Sequence, residues 1–150
     1  MDIKDNETTK KENTDLIMRW VEAANEHDVE KIAETLHEDY EYDFSNTLYK
    51  GKENAIKSWT VFFEGIPDVK FEVQQIIAEG EFVVARLRMT GTQTGPLVFE
   101  GYDSNKPFPA SNKKIDVPTC SVYLIKDGKI LKLIRYWDSA TMLRQLSIIN

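Results

Sequence analysis

Lys126-Asp127-Gly128-Lys129-Ile130-Leu131-Lys132-Leu133-Ile134-Arg135-Tyr136-Trp137-Asp138 is the stretch that decides the fold. Asp-Gly between two apolar runs signals a tight hairpin, because glycine accepts the positive φ that such a turn needs. The flanking strands read as 114–126 and 129–137. Asp138 then stands at the N-cap of a helix over 139–146, whose Met142, Leu143 and Leu146 share one face. A hairpin therefore feeds a short C-terminal helix.

Working upstream, Val69, Phe71, Val73 and Ile77 alternate with Lys70, Glu72 and Gln74, the period of a half-buried strand. Gly80-Glu81 turns it into a partner over 82–89, and a Gly- and Pro-containing loop over 96–112 leads to the final hairpin. Four strands thus form a meander. Ahead of them the period becomes helical. Leu16, Ile17, Trp20, Val21 and Ala24 share one face of a helix starting at Thr14 or Asp15. Asp28 caps a second helix that buries Val29, Ile32, Ala33 and Leu36 and ends around His37. A third over 52–64 buries Ala55, Ile56, Trp59, Phe62 and Phe63, and Gly65 and Pro67 stop it. Residues 38–44 read as a short aromatic-rich strand. Residues 1–13 are almost wholly polar and are expected to form a flexible tail, leaving 14–150 as a single domain. The order describes an α+β domain: a cone-like curved antiparallel sheet wrapped around three N-terminal helices, with a short C-terminal helix.

At 150 residues and 41% apolar content the chain has the size of one domain with one core. A net charge of -6, with Lys10-Lys11 and Lys113-Lys114 as its adjacent cation pairs, argues against nucleic acid as a partner. The single cysteine, Cys120, lies in an apolar run and reads as a small core residue in a reducing compartment. With no apolar run of about 18 residues and no basic-then-apolar leader, a cytoplasmic protein without a membrane partner is expected. Two histidines and one cysteine, without ligand-like spacing, argue against a metal. In the last strand Leu131, Leu133 and Trp137 point one way, and Ile130, Ile134 and Tyr136 the other. One face can pack on the helices, and the apolar opposite face is expected to carry a homodimer.

The order and spacing of Ala23-Ala24-Asn25, His37-Glu38-Asp39-Tyr40, Gly91-Thr92-Gln93-Thr94-Gly95, Asp127-Gly128-Lys129-Ile130 and Leu143-Arg144-Gln145-Leu146 resemble the SnoaL-like polyketide (ester) cyclase family of the nuclear transport factor 2-like fold, over roughly Leu16 to Leu146. The resemblance implies a cone-shaped pocket and ring closure by intramolecular aldol condensation without metal or organic cofactor. One pocket acid/base and hydrogen-bond donors would hold an enolate. In the register of that resemblance Arg135 stands where the cyclases carry their catalytic Asp, Ser121 where they carry a pocket His, and Tyr42 where they carry an Asn. Gln93 takes a place where many members have His. The loop over 96–112 is longer than the family's usual one.

A guanidinium cannot act as a base, so Arg135 reads either as a cation for a carboxylate or enolate oxygen, or as an arginine paired with an acid or turned to solvent. Asp138 is a displaced acid/base candidate for which a helix N-cap is the favoured reading, and Asp43 is a second carboxylate candidate beside a favoured surface or loop role. Tyr40, Tyr42, Ser121, Gln93, Trp137, Trp59 and His37 are candidate substrate-binding residues. The phenols would be oxyanion donors, and the structural alternative for His37 is a charge at a helix C-terminus. The expected ligand is a small, hydrophobic, oxygenated molecule. Two functions stand: a cofactor-free cyclase- or isomerase-like enzyme, or a noncatalytic binding domain that keeps the fold without the acid/base.

Overall fold

The computed structural model describes residues 3–44, 47–99 and 105–150. Its elements in chain order are α1 (Ile3–Asn25), α2 (Val29–Glu34), β1 (Leu36–Phe44), β2 (Thr47–Lys50), α3 (Lys52–Gly65), β3 (Lys70–Glu79), β4 (Phe82–Thr92), β5 (Lys114–Lys126), β6 (Lys129–Trp137) and α4 (Ser139–Gln145). The strands form one six-stranded sheet in the order β2-β1-β6-β5-β4-β3. The expected meander, β3 to β6, is antiparallel throughout. Its far edge is extended by β1, which runs parallel to β6, and β2 folds back antiparallel on β1.

The hairpin at the end of the sheet forms as its sequence dictates. Asp127 and Gly128 both take positive φ, 52° and 71°, the pair of values that matches a tight turn to the twist of the strands. Next to this turn the ladder is irregular: Ile125 pairs with Ile130, whereas Leu124 pairs with Lys132. Leu131 is thus one residue extra, a β-bulge. It places Ile130, fully buried, on the same face as Leu133 and corrects the strict alternation that put Ile130 on the outer side.

Other expectations shift at element ends. The first helix begins at Ile3, well inside the segment expected to be a flexible tail. Its polar first half carries no apolar period to announce it. Long-range partners hold it instead: Asn13 donates to the Gly80 carbonyl at 3.1 Å and Lys10 pairs with Glu79 at 3.0 Å. Asp28 caps α2, accepting from the Lys31 amide at 3.0 Å, but the helix stops at Glu34. His37 is therefore a strand residue of β1, not the C-terminus of a helix. The short strand β2 had no pattern to reveal it. Cys120 is exposed on the outer face, because its neighbours Thr119 and Ser121 point inward.

The concave face packs on α1 and α3 through an aromatic cluster. Trp20 of α1 lies 5.4 Å from Trp59 of α3, 6.2 Å from Phe71 of β3 and 6.0 Å from Tyr123 of β5, ring centre to ring centre. Such tilted and edge-on pairs add about 0.5–1.5 kcal/mol each beyond area burial. On the convex face Val84, Val122 and Ile134 stand in register across β4, β5 and β6, flanked by exposed Phe82 and Tyr136. Arg88 is also there, held by a two-pronged pair with Asp116.

Candidate functional site

Period-two alternation in the two central strands brings the inward residues together. On β5 these are Thr119, Ser121 and Tyr123, and on β6 they are Leu133, Arg135 and Trp137. Ser121 is the register partner of Arg135, Tyr123 of Leu133 and Thr119 of Trp137. On the other side of β6, Tyr42 is in register with Leu133, which turns Tyr42 and Tyr40 toward the same interior.

Arg135 is 5% exposed and sits at the centre of this group. Its Nε donates to Ser121 Oγ at 3.0 Å. Its guanidinium carbon lies 5.2 Å from the ring centre of Trp20 and 5.5 Å from that of Trp59. A buried cation over two indole faces gains on the order of 2 kcal/mol from their quadrupoles. Among the described residues no carboxylate is within ion-pair distance of it, and at 5% exposure it is not turned to solvent. Arg135 Nη2 is buried without a hydrogen-bond acceptor. Burial disfavours its charge, yet the phenols of Tyr42, Tyr123 and Tyr40 hold its pKa above the usual arginine value, and it stays a cation.

Two hydroxyls on β5 are also unsatisfied. Tyr123 Oη, fully buried and facing Ser121 and Arg135, makes no hydrogen bond of ordinary length, and neither does Thr119 Oγ1. Buried polar atoms without partners are uncommon in native structures, and several on one surface mark a place built for something else. Burial raises the pKa of both Tyr123 and Tyr40. They are neutral phenols near pH 7, able to donate and not to act as bases.

The remaining candidates fall elsewhere. Asp138 caps α4: its carboxylate accepts from the Thr141 amide at 2.9 Å and from the Thr141 hydroxyl at 2.6 Å. Those bonds hold it below the ordinary carboxylate range, the reverse of what a general acid needs. Asp43 is in register with Ile134, which puts it on the convex side, away from Arg135. His37 lies at the opposite end of β1, its ring 3.8 Å from the Asp127 carboxylate and its Nδ1 accepting from the Asp39 amide at 3.0 Å. Trp137 is stacked on Phe99, with centres 6.4 Å apart, and Phe99 meets Phe108 at 5.6 Å. Part of the long loop noted in the sequence, residues 100–104, lies outside the described residues.

Gln93 is fully buried, but its amide serves the chain. Nε2 donates to the carbonyls of Gly95 and Pro109 at 3.1 and 3.0 Å, and Oε1 accepts from the Ser111 amide at 3.2 Å. Gly95 crosses the end of α3 so closely that a Cβ there would lie 2.1 Å from the Glu64 carbonyl oxygen. The Gly91–Gly95 segment therefore fastens a loop. Trp20 was read from the sequence as a core residue, and Tyr123 and Thr119 are the site residues that sequence reasoning did not single out. The same-face spacing 119, 121, 123 was the signal that could have found the last two.

Among the described residues the buried polar set is Asn13, Thr35, Gln93, Thr119, Ser121 and Arg135, with no acid or histidine in it. No group of three or more His, Cys, Asp or Glu side chains among them could hold a metal ion, and none of their helices is long and apolar enough to cross a membrane.

The family model of the SnoaL-like polyketide cyclases matches residues 14–146. Among solved structures, a protein of Jannaschia sp. CCS1 assigned as a SnoaL-like polyketide cyclase is 27% identical at a TM-score of 0.81, over 94% of this chain and 95% of that one. AclR of Streptomyces galilaeus, assigned as a hydroxylase, shares the fold at a TM-score of 0.80 with 20% identity, over 94% of this chain and 99% of that one. IdmH of Streptomyces antibioticus, assigned as a polyketide cyclase, does so at 0.74 with 23% identity, over 90% and 98%. No protein of curated function matches the sequence.

Proposed function

The chain belongs to the SnoaL-like polyketide cyclase family, and from that premise we propose that its concave interior takes up an apolar, oxygenated small molecule and holds an oxygen of it on Arg135. The carrying observation is the guanidinium itself, buried between two indoles with one nitrogen unpartnered and no acid beside it. A buried cation is costly unless something of opposite charge or high electron density meets it. Ser121 orients the group through Nε, and the neutral phenols of Tyr40 and Tyr123 and the ring of Tyr42 are near it.

As an enzyme, such a site acts on a carbonyl compound by stabilising negative charge on oxygen. Donors fixed before the reaction stabilise an enolate as it develops, and in a site without water they act strongly. An activated carbon acid such as a 1,3-dicarbonyl, acidic enough to give up its α-proton to solvent water on entry, would then cyclise or isomerise with its enolate oxygen on Arg135. The second reading, a noncatalytic binding domain, is favoured by one observation. The described buried residues include no group to take a proton from carbon, and Asp138 is committed to its helix cap.

A thermal-shift screen of apolar ketones, esters and acids, followed by mass spectrometry of each compound that binds, tests both readings. Compounds that raise Tm support the pocket, and conversion of one of them supports the enzyme. Binding without conversion supports the noncatalytic domain, and a screen that moves nothing overturns the pocket. The convex face, with Val84, Val122 and Ile134 in register beside exposed Phe82 and Tyr136, supports a homodimer through the sheet. Ile134→Asp should then halve the mass seen by sedimentation, and an unchanged mass would overturn that assembly.

A further inference from the structure

Resting on that pocket, we propose that its ligand carries a permanent carboxylate, bound by Arg135 and the Tyr123 hydroxyl, on an otherwise apolar body. The argument starts from charge balance. A single guanidinium, 5% exposed, has no acid within ion-pair distance among the described residues, and its Nη2 has no acceptor. An enolate would neutralise it only after a base had removed a proton, and the described buried set holds no Asp, Glu or His to do so. Among the described residues nothing balances the charge, and in this proposal the balancing anion arrives with the ligand.

Its chemical class follows from the surroundings. One cation matches one negative charge, which fits a carboxylate better than a phosphate monoester carrying nearly two. Arg135 Nη2 and Tyr123 Oη face each other on the inner sides of adjacent strands without a hydrogen bond of ordinary length, and Ser121 is already occupied by Arg135 Nε. A planar acceptor with two oxygens can meet two donors at once. The walls are the indole faces of Trp20 and Trp59. Farther along β5 the unpartnered Thr119 hydroxyl, in register with Trp137, lies roughly 7 Å from Ser121. Trp137 stacks on Phe99 there. A carboxylate head at Arg135 and a flat, apolar body with one further oxygen toward Thr119 satisfies every one of these groups.

Calorimetric titration of the full chain at pH 7 with benzoate, cinnamate and 2-naphthoate, each beside its methyl ester, tests this. At that pH the acids are ionised. At least one acid should bind about tenfold or more tighter than its ester, since charge-assisted bonds exceed neutral ones by that order. Arg135→Met should abolish the difference by weakening the acid far more than the ester, and Arg135→Lys, which keeps the charge, should preserve part of it. Tyr123→Phe should weaken the acid more than the ester. Acid and ester bound alike by the native chain, or a preference surviving Arg135→Met, overturns the carboxylate and leaves the pocket standing. Failure of all six probes overturns the carboxylate as well, and the broader screen above then decides whether the pocket falls with it.

Discussion

Gln93 and Arg135 are both buried polar side chains beside the same sheet, and they are treated in opposite ways. Gln93 has both ends of its amide bonded to loop backbone, with partners up to Ser111. Arg135 has one bond, to Ser121, and a nitrogen left over. Burial and polarity alone would rank the two equally as site candidates. Satisfaction separates them: a polar group whose valences are met is holding the fold together, and one whose valences are open is held by the fold for a ligand.

The strongest way to break that contrast is to remove Gln93. Gln93→Leu strands two loop carbonyls and an amide, and should cost on the order of 3 kcal/mol, roughly 6–12 °C in Tm for a chain of this size. A loss within 2 °C, read by calorimetry, would remove the clasp from the comparison. Next comes Asp138, a polar group satisfied at the surface. Asp138→Ala should cost about 1 kcal/mol in urea unfolding, the usual worth of an N-cap, and leave the affinity for any ligand found by screening unchanged. A change in affinity with stability intact would return Asp138 to the pocket.

The first of these residues also shows where sequence reading stops. Gln93 was legible as a member of a glycine-rich motif, but its partners are backbone groups as far as Ser111, and no side-chain pattern encodes them. By contrast the bounds of β5 and β6 were readable because Asp-Gly and alternation are local signals. The start of α1 was not, since a polar helix has no apolar period and is anchored by contacts such as Asn13 to Gly80. Nor was the bulge at Leu131, which breaks the alternation that was used to find the strand. Inward placement of Arg135 was legible, and its lack of an acid partner was not, because that depends on every element packed around it.

Arg135→Met sharpens the contrast from the other side. Removing a buried cation that has no acid partner should leave stability within about 1 kcal/mol of the parent, whereas the same change at a satisfied ion pair would be costly. A larger loss in urea unfolding would mean that Arg135 is structural after all. The smallest expected effect concerns Asp68, whose carboxylate accepts the Thr92 amide at 2.6 Å. That bond lowers its pKa below the ordinary aspartate value. Because the folded value is the lower one, its contribution is present above the unfolded aspartate pKa near 3.9 and is lost as pH falls through the folded value. Asp68→Asn should flatten the stability curve slightly in that acid window, as followed by thermal melts, and an unchanged slope would remove Asp68 from the account.

The parallel seam between β1 and β6 leaves the strand that carries Arg135 with neighbours on both of its edges. Its amides should be among the slowest in the molecule to exchange with deuterium, so the anchor is stationary before any guest arrives. Trp20 and Trp59, which bracket it, come from two separate helices. A lineage of such proteins can therefore change the size of what it admits by exchanging helix side chains, while the charge that selects the guest's chemistry keeps its coordinates.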